Sequence, residues 1–280
     1  MRDVQALLRR HGFHFSKSMG QNFLIEDWVP REIAAASGAD PSRAVLEIGP
    51  GIGALTVELA QRAGKVVSLE LDRSLLPILA ETLAEFENTE VVPGDITKTD
   101  CRAFVAEHLA PLSPIVCANL PYNITTPVLT QLLEAKCFDS ITVMIQKEVA
   151  RRICAEAGSG DYGAFSLLCQ YHARCEYLFE VPRECFLPAP KVTSAVVRLT
   201  PYDIPPVQAR SEAQLFRVIR AAFGQRRKTL TNALSAAFSS LSKAQIAGAL
   251  ESCGLSPAVR GEKLTLEQFA QLSDALEDAN

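Results

Sequence analysis

The chain contains no apolar run of the length that crosses a bilayer, so no membrane-spanning helix is expected. Its first residues, "MRDVQALLRRHGFHFSK", carry charge throughout and have no uninterrupted apolar segment, so no signal peptide is expected either. The cysteines stand at 101, 117, 137, 154, 169, 175, 185 and 253, with no C-x-x-C pair and no histidine at zinc spacing. With that pattern no metal site is expected, and the thiols read as reduced and mostly buried in a cytoplasmic protein. Nothing in the sequence gives His11, His14, His108 or His172 a catalytic partner, so imidazole chemistry is not expected. Bases do not exceed acids: 28 Lys and Arg against 32 Asp and Glu leave a net charge of −4, which argues against a general nucleic-acid coat. Internal repeats and low-complexity segments are missing as well.

What is present is a chain of 280 residues, 48% hydrophobic, enough to bury its own core in one large and one small domain. Residues 2–11 read as a short amphipathic helix, and an alanine-rich helix runs from about Asp27 to Gly38. A regular alternation then begins. "RAVLEIG", "KVVSLEL", "TEVVPGD", "SPIVCANL" and "SITVMIQ" are short apolar strands, each followed by a helical stretch. Such alternation means βαβ units and an α/β fold with a parallel sheet. After the glycine-rich "GSGDYG" (158–163) the pattern changes. "AFSLLCQYHARCEYLFEV" starts helical and ends as a strand, and "KVTSAVVRL" (191–199) is a clear strand. These two predict an antiparallel edge. The prolines of "TPYDIPPVQ" mark a linker, and four short helices are expected at 211–223, 226–239, 242–252 and 265–277. The division is therefore placed at 1–204 and 205–280.

Two motifs carry chemistry. In "VLEIGPGIGALT" (45–56) a strand ends in Gly49, Gly51 and Gly53 and a helix begins. Glycines permit a sharp turn and a close approach of ligand to backbone. Their i, i+2, i+4 spacing departs from the dinucleotide fingerprint, and Glu47 precedes them within the strand. Glu70 ends the next strand, where a carboxylate can take both ribose hydroxyls of a nucleoside, and Asp95 ends the third, where it can hold an adenine amino group. A tight turn with solvated loop acids is the alternative. The second motif is "NLPY" (119–122), at the tip of the fourth strand. An exocyclic adenine amine is a poor nucleophile, and acceptors at its two N–H bonds favour a nitrogen becoming tetrahedral. The Asn119 side-chain oxygen and the Leu120 carbonyl can be those acceptors. Pro121 fixes the carbonyl's direction, and Tyr122 can stack on the base. An Asx-type turn with a buried tyrosine is the alternative here.

Together "EIGPGIG", "NLPY" and "FLPAPKVTSAVVRL" (186–199) resemble the ribosomal RNA adenine N6-dimethyltransferases, which use S-adenosylmethionine. "KSMGQNFL" (17–24) and "FGQRRKTL" (223–230) resemble the branch that modifies two adjacent adenosines near the 3′ end of 16S rRNA in the small ribosomal subunit. The likeness spans nearly the whole chain. It implies a Rossmann-like class I methyltransferase fold, a mostly parallel seven-stranded sheet with an antiparallel strand, plus a small helical C-terminal domain and no metal. Carried over by position, it assigns Asn22, Leu24, Gly49, Gly51, Glu70, Asp95 and Asn119 to the cofactor. Leu120 and Tyr122 would present the target base, with Phe186 covering its other face. Thr193 departs from an acidic residue expected in many relatives, with a local consequence only. An antibiotic-resistance-type enzyme acting on large-subunit rRNA, or a non-catalytic assembly or transcription factor on the same fold, are the alternatives.

The basic stretch Arg210, Arg217, Arg220, Arg226, Arg227 and Lys228 is opposed in sequence only by Glu212. It reads as a phosphate-binding surface for rRNA, extended by Lys147, Arg151 and Arg152. A solvated helix face is the bland reading of the same charges. No oligomer seam appears, so a monomer is expected.

Overall fold

The computed structural model describes residues 4–15 and 21–279. Lys17–Gly20, the first half of the "KSMGQNFL" motif, lie outside the described residues. Among the described residues nine strands occur in the order β1 (Phe23–Leu24), β2 (Arg43–Ile48), β3 (Lys65–Glu70), β4 (Thr89–Pro93), β5 (Ser113–Asn119), β6 (Ser140–Gln146), β7 (Ala173–Val181), β8 (Phe186–Leu187) and β9 (Ser194–Pro201). Seven of them form one sheet in the order β4-β3-β2-β5-β6-β9-β7. Neighbours from β4 to β6 run parallel, and β9 is antiparallel to β6, with Gln146 opposite Ser194. β1 and β8 form a separate antiparallel pair.

The central strands are mostly apolar because helices cover both sheet faces. Val45, Val66, Ile115, Met144 and Val196 are fully buried, among side chains such as Ile33 and Leu59 from the neighbouring helices Trp28–Ala36 and Ala54–Ala60. Each such side chain contributes roughly 1.5–3 kcal/mol by leaving water. The chain enters the sheet at β2, moves outward through β3 and β4, then returns to β5 on the other side of β2. The loops after β2 and β5 therefore leave in opposite directions. A crevice opens between them at the carboxyl edge of the sheet, the usual ligand position in open α/β folds.

The chain folds as two compact units, Met1–Ala150 with Arg174–Pro201, and Arg151–Ala173 with Tyr202–Asn280. Residues 151–173 thus group with the C-terminal helices, whereas the division at 204 had assigned them to the first domain. The cause is packing that composition does not reveal. Tyr162, Leu167 and Tyr171 are buried with Leu215, Ile219 and Phe269, and the Tyr162 hydroxyl donates 2.9 Å to the Leu264 carbonyl. The C-terminal helices are Glu212–Gly224, Leu230–Ala237, Lys243–Ser252 and Leu266–Asp278. Ser211, Ser242 and Thr265 cap three of them, accepting from Gln214, Gln245 and Gln268. The second of these helices starts at Leu230, four residues later than the pattern predicts, because Arg226 and Arg227 lie in a turn. There the Arg226 guanidinium donates to the carbonyls of Gly160 and Tyr162.

Candidate active site at the carboxyl edge of the sheet

The crevice is a cavity of about 270 Å³. Its lining includes Asn22, Leu24, Gly49, Gly51, Glu70, Asp95, Asn119, Leu120 and Tyr122, so nine of the residues named from sequence converge on one space. They arrive from the ends of β2, β3, β4 and β5 and from the segment at β1.

The glycine loop makes this approach possible. Gly51 has φ +60°, and a Cβ there would stand 3.1 Å from the Phe23 ring. Only a bare Cα lets the β1 segment close over the loop. Gly53, at φ +85°, begins the helix Ala54–Ala60, and a Cβ would meet Thr82 at 2.9 Å. Opposite-strand pairing then holds the β1 segment in place. Leu24 is partnered with Phe186, Phe23 with Leu187, and the Ile25 amide donates 2.9 Å to the Cys185 carbonyl.

Glu70 ends β3 and is 5% exposed. Its carboxylate accepts from the Asp72 amide at 2.7 Å, and burial raises its pKa against the pull of backbone N–H groups from Asp72, Gly51 and Leu71. Asp72 in turn accepts 2.6 Å from the Gln21 side-chain amide. A chain Gln21–Asp72–Glu70 thus ties the N-terminal segment to the carboxylate at the cavity. Sequence reasoning passed over Gln21 and Asp72. Their signal was adjacency, one residue before Asn22 and two after Glu70. Leu71, 56% exposed, and Ile96 add apolar wall to the same cavity and were also missed.

Asp95 caps the short turn Ile96–Lys98: Oδ1 accepts from the Thr97 amide (3.0 Å) and hydroxyl (2.7 Å). These bonds, the hydroxyl's first, lower its pKa, so the carboxylate stays ionised. An ionised carboxylate has about four acceptor positions, so capping leaves it capacity for a ligand amine.

Glu47, in β2, lines the cavity but is 1% exposed. Desolvation raises its pKa to about 7, although the Thr56 (2.6 Å) and Ser68 (2.8 Å) hydroxyls both donate to Oε2. Burial, with a contribution from Glu47, also raises the pKa of the Cys117 thiol. Cys117 is a closed core thiol, not a nucleophile.

Asn119 ends β5, paired with Met144 of β6, and the Leu120 amide donates 3.1 Å to the Met144 carbonyl. The tip of the strand is therefore rigid. The Asn119 side chain makes no hydrogen bond with the described residues and is left for a ligand. The Tyr122 hydroxyl shares a 2.6 Å hydrogen bond with the Ser194 hydroxyl.

Phe186 is placed otherwise than expected. It is 3% exposed, packed in the core with Leu24 and Val181, and absent from the cavity lining. The β1–β8 ladder turns its side chain inward, so the contribution visible in this structure is to hold Leu24 at the cavity. Thr193 accepts from the Lys147 amide through its carbonyl, at 3.0 Å.

The basic residues divide sharply. Arg210 is neutralised by Asp278 and its amide donates to Asp274. Arg217 lies over the Phe238 ring, 4.3 Å from its centroid, and donates to the Ala237 carbonyl. Lys147 pairs with Glu180 at 2.7 Å. Arg220, Arg227, Lys228, Arg151 and Arg152 are exposed and have no ion pair among the described residues.

Comparisons with known proteins identify the family. The family model described as ribosomal RNA adenine dimethylase matches residues 12–278. The chain belongs to the ribosomal RNA adenine dimethylase family. Proteins called ribosomal RNA small subunit methyltransferase A are similar along almost the whole chain. The one from Geobacillus thermodenitrificans is 46% identical over 98% of this chain and 94% of its own length. That from Streptococcus sanguinis is 46% identical over 98% and 96%, and that from Alkaliphilus metalliredigens 44% over 96% and 94%. Among solved structures, the 23S rRNA methyltransferase ErmE superposes with a TM-score of 0.70 at 28% identity, over 91% of this chain and all of its own. A dimethyladenosine transferase from Plasmodium falciparum gives 0.74 at 24% identity, over 89% and 95%, which shows the shared fold. The sheet of this dimethylase-family chain is thus the Rossmann-like methyltransferase sheet, with β9 as its antiparallel strand.

Proposed function

We propose that this protein transfers methyl groups from S-adenosylmethionine to N6 of two adjacent adenosines near the 3′ end of 16S rRNA, giving N6,N6-dimethyladenosine during ribosome biogenesis. The observation that carries the reading is the meeting of Glu70, Asp95, Asn119, Leu120 and Tyr122 in one cavity, from the tips of three strands. Family membership gives the reaction class. Identity of 44–46% to small-subunit enzymes, against 28% to ErmE, favours the small-subunit substrate.

The donor set fits the cofactor. Glu70 would hold the ribose hydroxyls, Asp95 the adenine amine, and the glycine loop with Asn22 and Leu24 the methionine end, with Gly51 letting the Phe23 segment close over that loop. When bound, S-adenosylmethionine supplies a methyl group made electrophilic by a sulfonium. The protein's own part is positional and electrostatic. The Asn119 side-chain oxygen and the Leu120 carbonyl accept the two N–H bonds of the target amine, drawing it toward a tetrahedral nitrogen. Pro121, at φ −56°, holds the Leu120 carbonyl in direction. Tyr122 offers its ring to the base, its phenol kept neutral by burial. An alkylated amine loses its proton readily, so no strong base is required.

Arg220, Arg227 and Lys228, with Arg151 and Arg152, are the side chains available for rRNA phosphates, supported by Arg217 and Arg226 in their tethered positions. The enzyme is proposed to act as a cytoplasmic monomer on the small subunit or its precursor. Incubation with labelled S-adenosylmethionine and undermethylated small subunits, followed by nucleoside analysis, tests the reading. Dimethyladenosine is the expected product, and its absence rejects the assignment.

A further inference from the structure

We propose that Ser194 is a positioning residue for this reaction: its hydroxyl holds the Tyr122 phenol and so fixes the ring on which the target adenine stacks. The inference rests on the reading of Tyr122 as the platform for the base, and adds a partner that the reaction does not touch.

Ser194 is 0% exposed and lies outside the cavity lining. It is the first residue of β9, opposite Gln146 of β6, and the Lys147 amide reaches the Thr193 carbonyl just before it. Its backbone is therefore held on the sheet, and its hydroxyl is a fixed point. Tyr122 is differently placed. It opens a single 3₁₀ turn, Tyr122–Ile124, where the Pro121 carbonyl accepts from the Ile124 amide at 3.2 Å and from the Thr125 hydroxyl at 3.3 Å, bonds that hold the backbone but not the ring. A tyrosine on such a turn rotates about two side-chain bonds unless its far end is held. The 2.6 Å bond holds that end, across 72 residues of sequence and over the intervening strand β6. Ser194 is fully buried and Tyr122 half-buried, so losing the phenol leaves the serine hydroxyl without this partner, and losing the serine frees the far end of the tyrosine.

Stacking geometry governs the alignment of the amine with Asn119 and Leu120, whereas affinity for the subunit comes from phosphate contacts made by other side chains. Loss of the tether should therefore lower kcat and leave the KM for the subunit and the affinity for S-adenosylmethionine unchanged. Loss of one ordinary hydrogen bond corresponds to a factor of about five. Full-length Ser194→Ala, Tyr122→Phe and the double variant are compared on undermethylated small subunits, with cofactor affinity from calorimetry and thermal melting as controls. Each single variant should lose about five-fold in kcat, and the double variant no more than either, because one bond is removed in all three. Losses that multiply to roughly 25-fold, an unchanged kcat in Ser194→Ala, or a parallel fall in cofactor affinity each overturn the proposal. Should Ser194→Ala fail to fold, Tyr122→Phe decides: a five-fold fall in kcat at unchanged cofactor affinity supports the tether, and an unchanged kcat rejects it. Tyr122→Ala separates the two readings. Wild-type activity there removes the stacking platform itself, while a crippled Tyr122→Ala beside a fully active Ser194→Ala removes only the tether.

Discussion

Replacing Asn119 by alanine isolates the amine-accepting step. The substitution removes a side chain that bonds to nothing among the described residues, on a backbone already fixed by Met144. No protein donor is orphaned, so stability should change by no more than about 0.5 kcal/mol. Chemistry should suffer far more. Asn119 is one of two acceptors aimed at the amine, and deleting one member of such a preorganised pair lowers turnover by roughly 10²–10³-fold. The Leu120 carbonyl remains, which is why the expected loss is partial. The assay is single-turnover transfer of labelled methyl to undermethylated small subunits, with melting temperature and cofactor affinity measured alongside. Transfer within about ten-fold of wild type would refute the acceptor role. A melting temperature that collapses would show instead that Asn119 holds the strand tip, against the geometry.

Three further outcomes follow from the same site and surface. Glu70→Gln should weaken S-adenosylmethionine binding about 10- to 100-fold, the range for a charged hydrogen-bond partner, with kcat near wild type at saturation; unchanged affinity in calorimetry removes Glu70 from the ribose. Glu47 has a folded pKa of about 7 against an ordinary 4.5, so the folded state binds more protons between those values and stability falls as pH rises through that window. Glu47→Gln should therefore melt progressively higher relative to wild type from pH 5 to about 7.5, and a constant difference across that range contradicts the buried-carboxylate argument. Removing Arg227 and Lys228 should reduce the salt dependence of subunit binding by about 0.7–0.9 in log–log slope per residue, whereas Arg210→Ala, already paired with Asp278, should leave the slope unchanged; equal effects at all three positions would show that charge pairing does not sort these side chains.

Much of the molecule was legible in the residues alone, because the deciding interactions are short-ranged. Alternating apolar runs and helical stretches encode β2–β6 and their crossovers, and right-handed βαβ connection then leaves few arrangements. Gly51 and Gly53 announce a left-handed turn that only glycine adopts without strain. Glu70, Asp95 and Asn119 stand at strand ends, and parallel strands bring their ends to the same edge. What the tertiary structure alone decided lies between residues far apart in the chain. Asp278 cancels Arg210 from 68 positions away, and Tyr162 draws Arg226 off a helix from 64. Pairing with Leu24 buries Phe186, and packing on Leu215 and Phe269 moves residues 151–173 to the second unit. Ser194 reaches Tyr122 across 72 residues. A local pattern fixes what a segment can be, since propensity and backbone strain act within a few residues. Which side chains neutralise, cover or hold one another depends on distances that exist only after the sheet and the helices have closed.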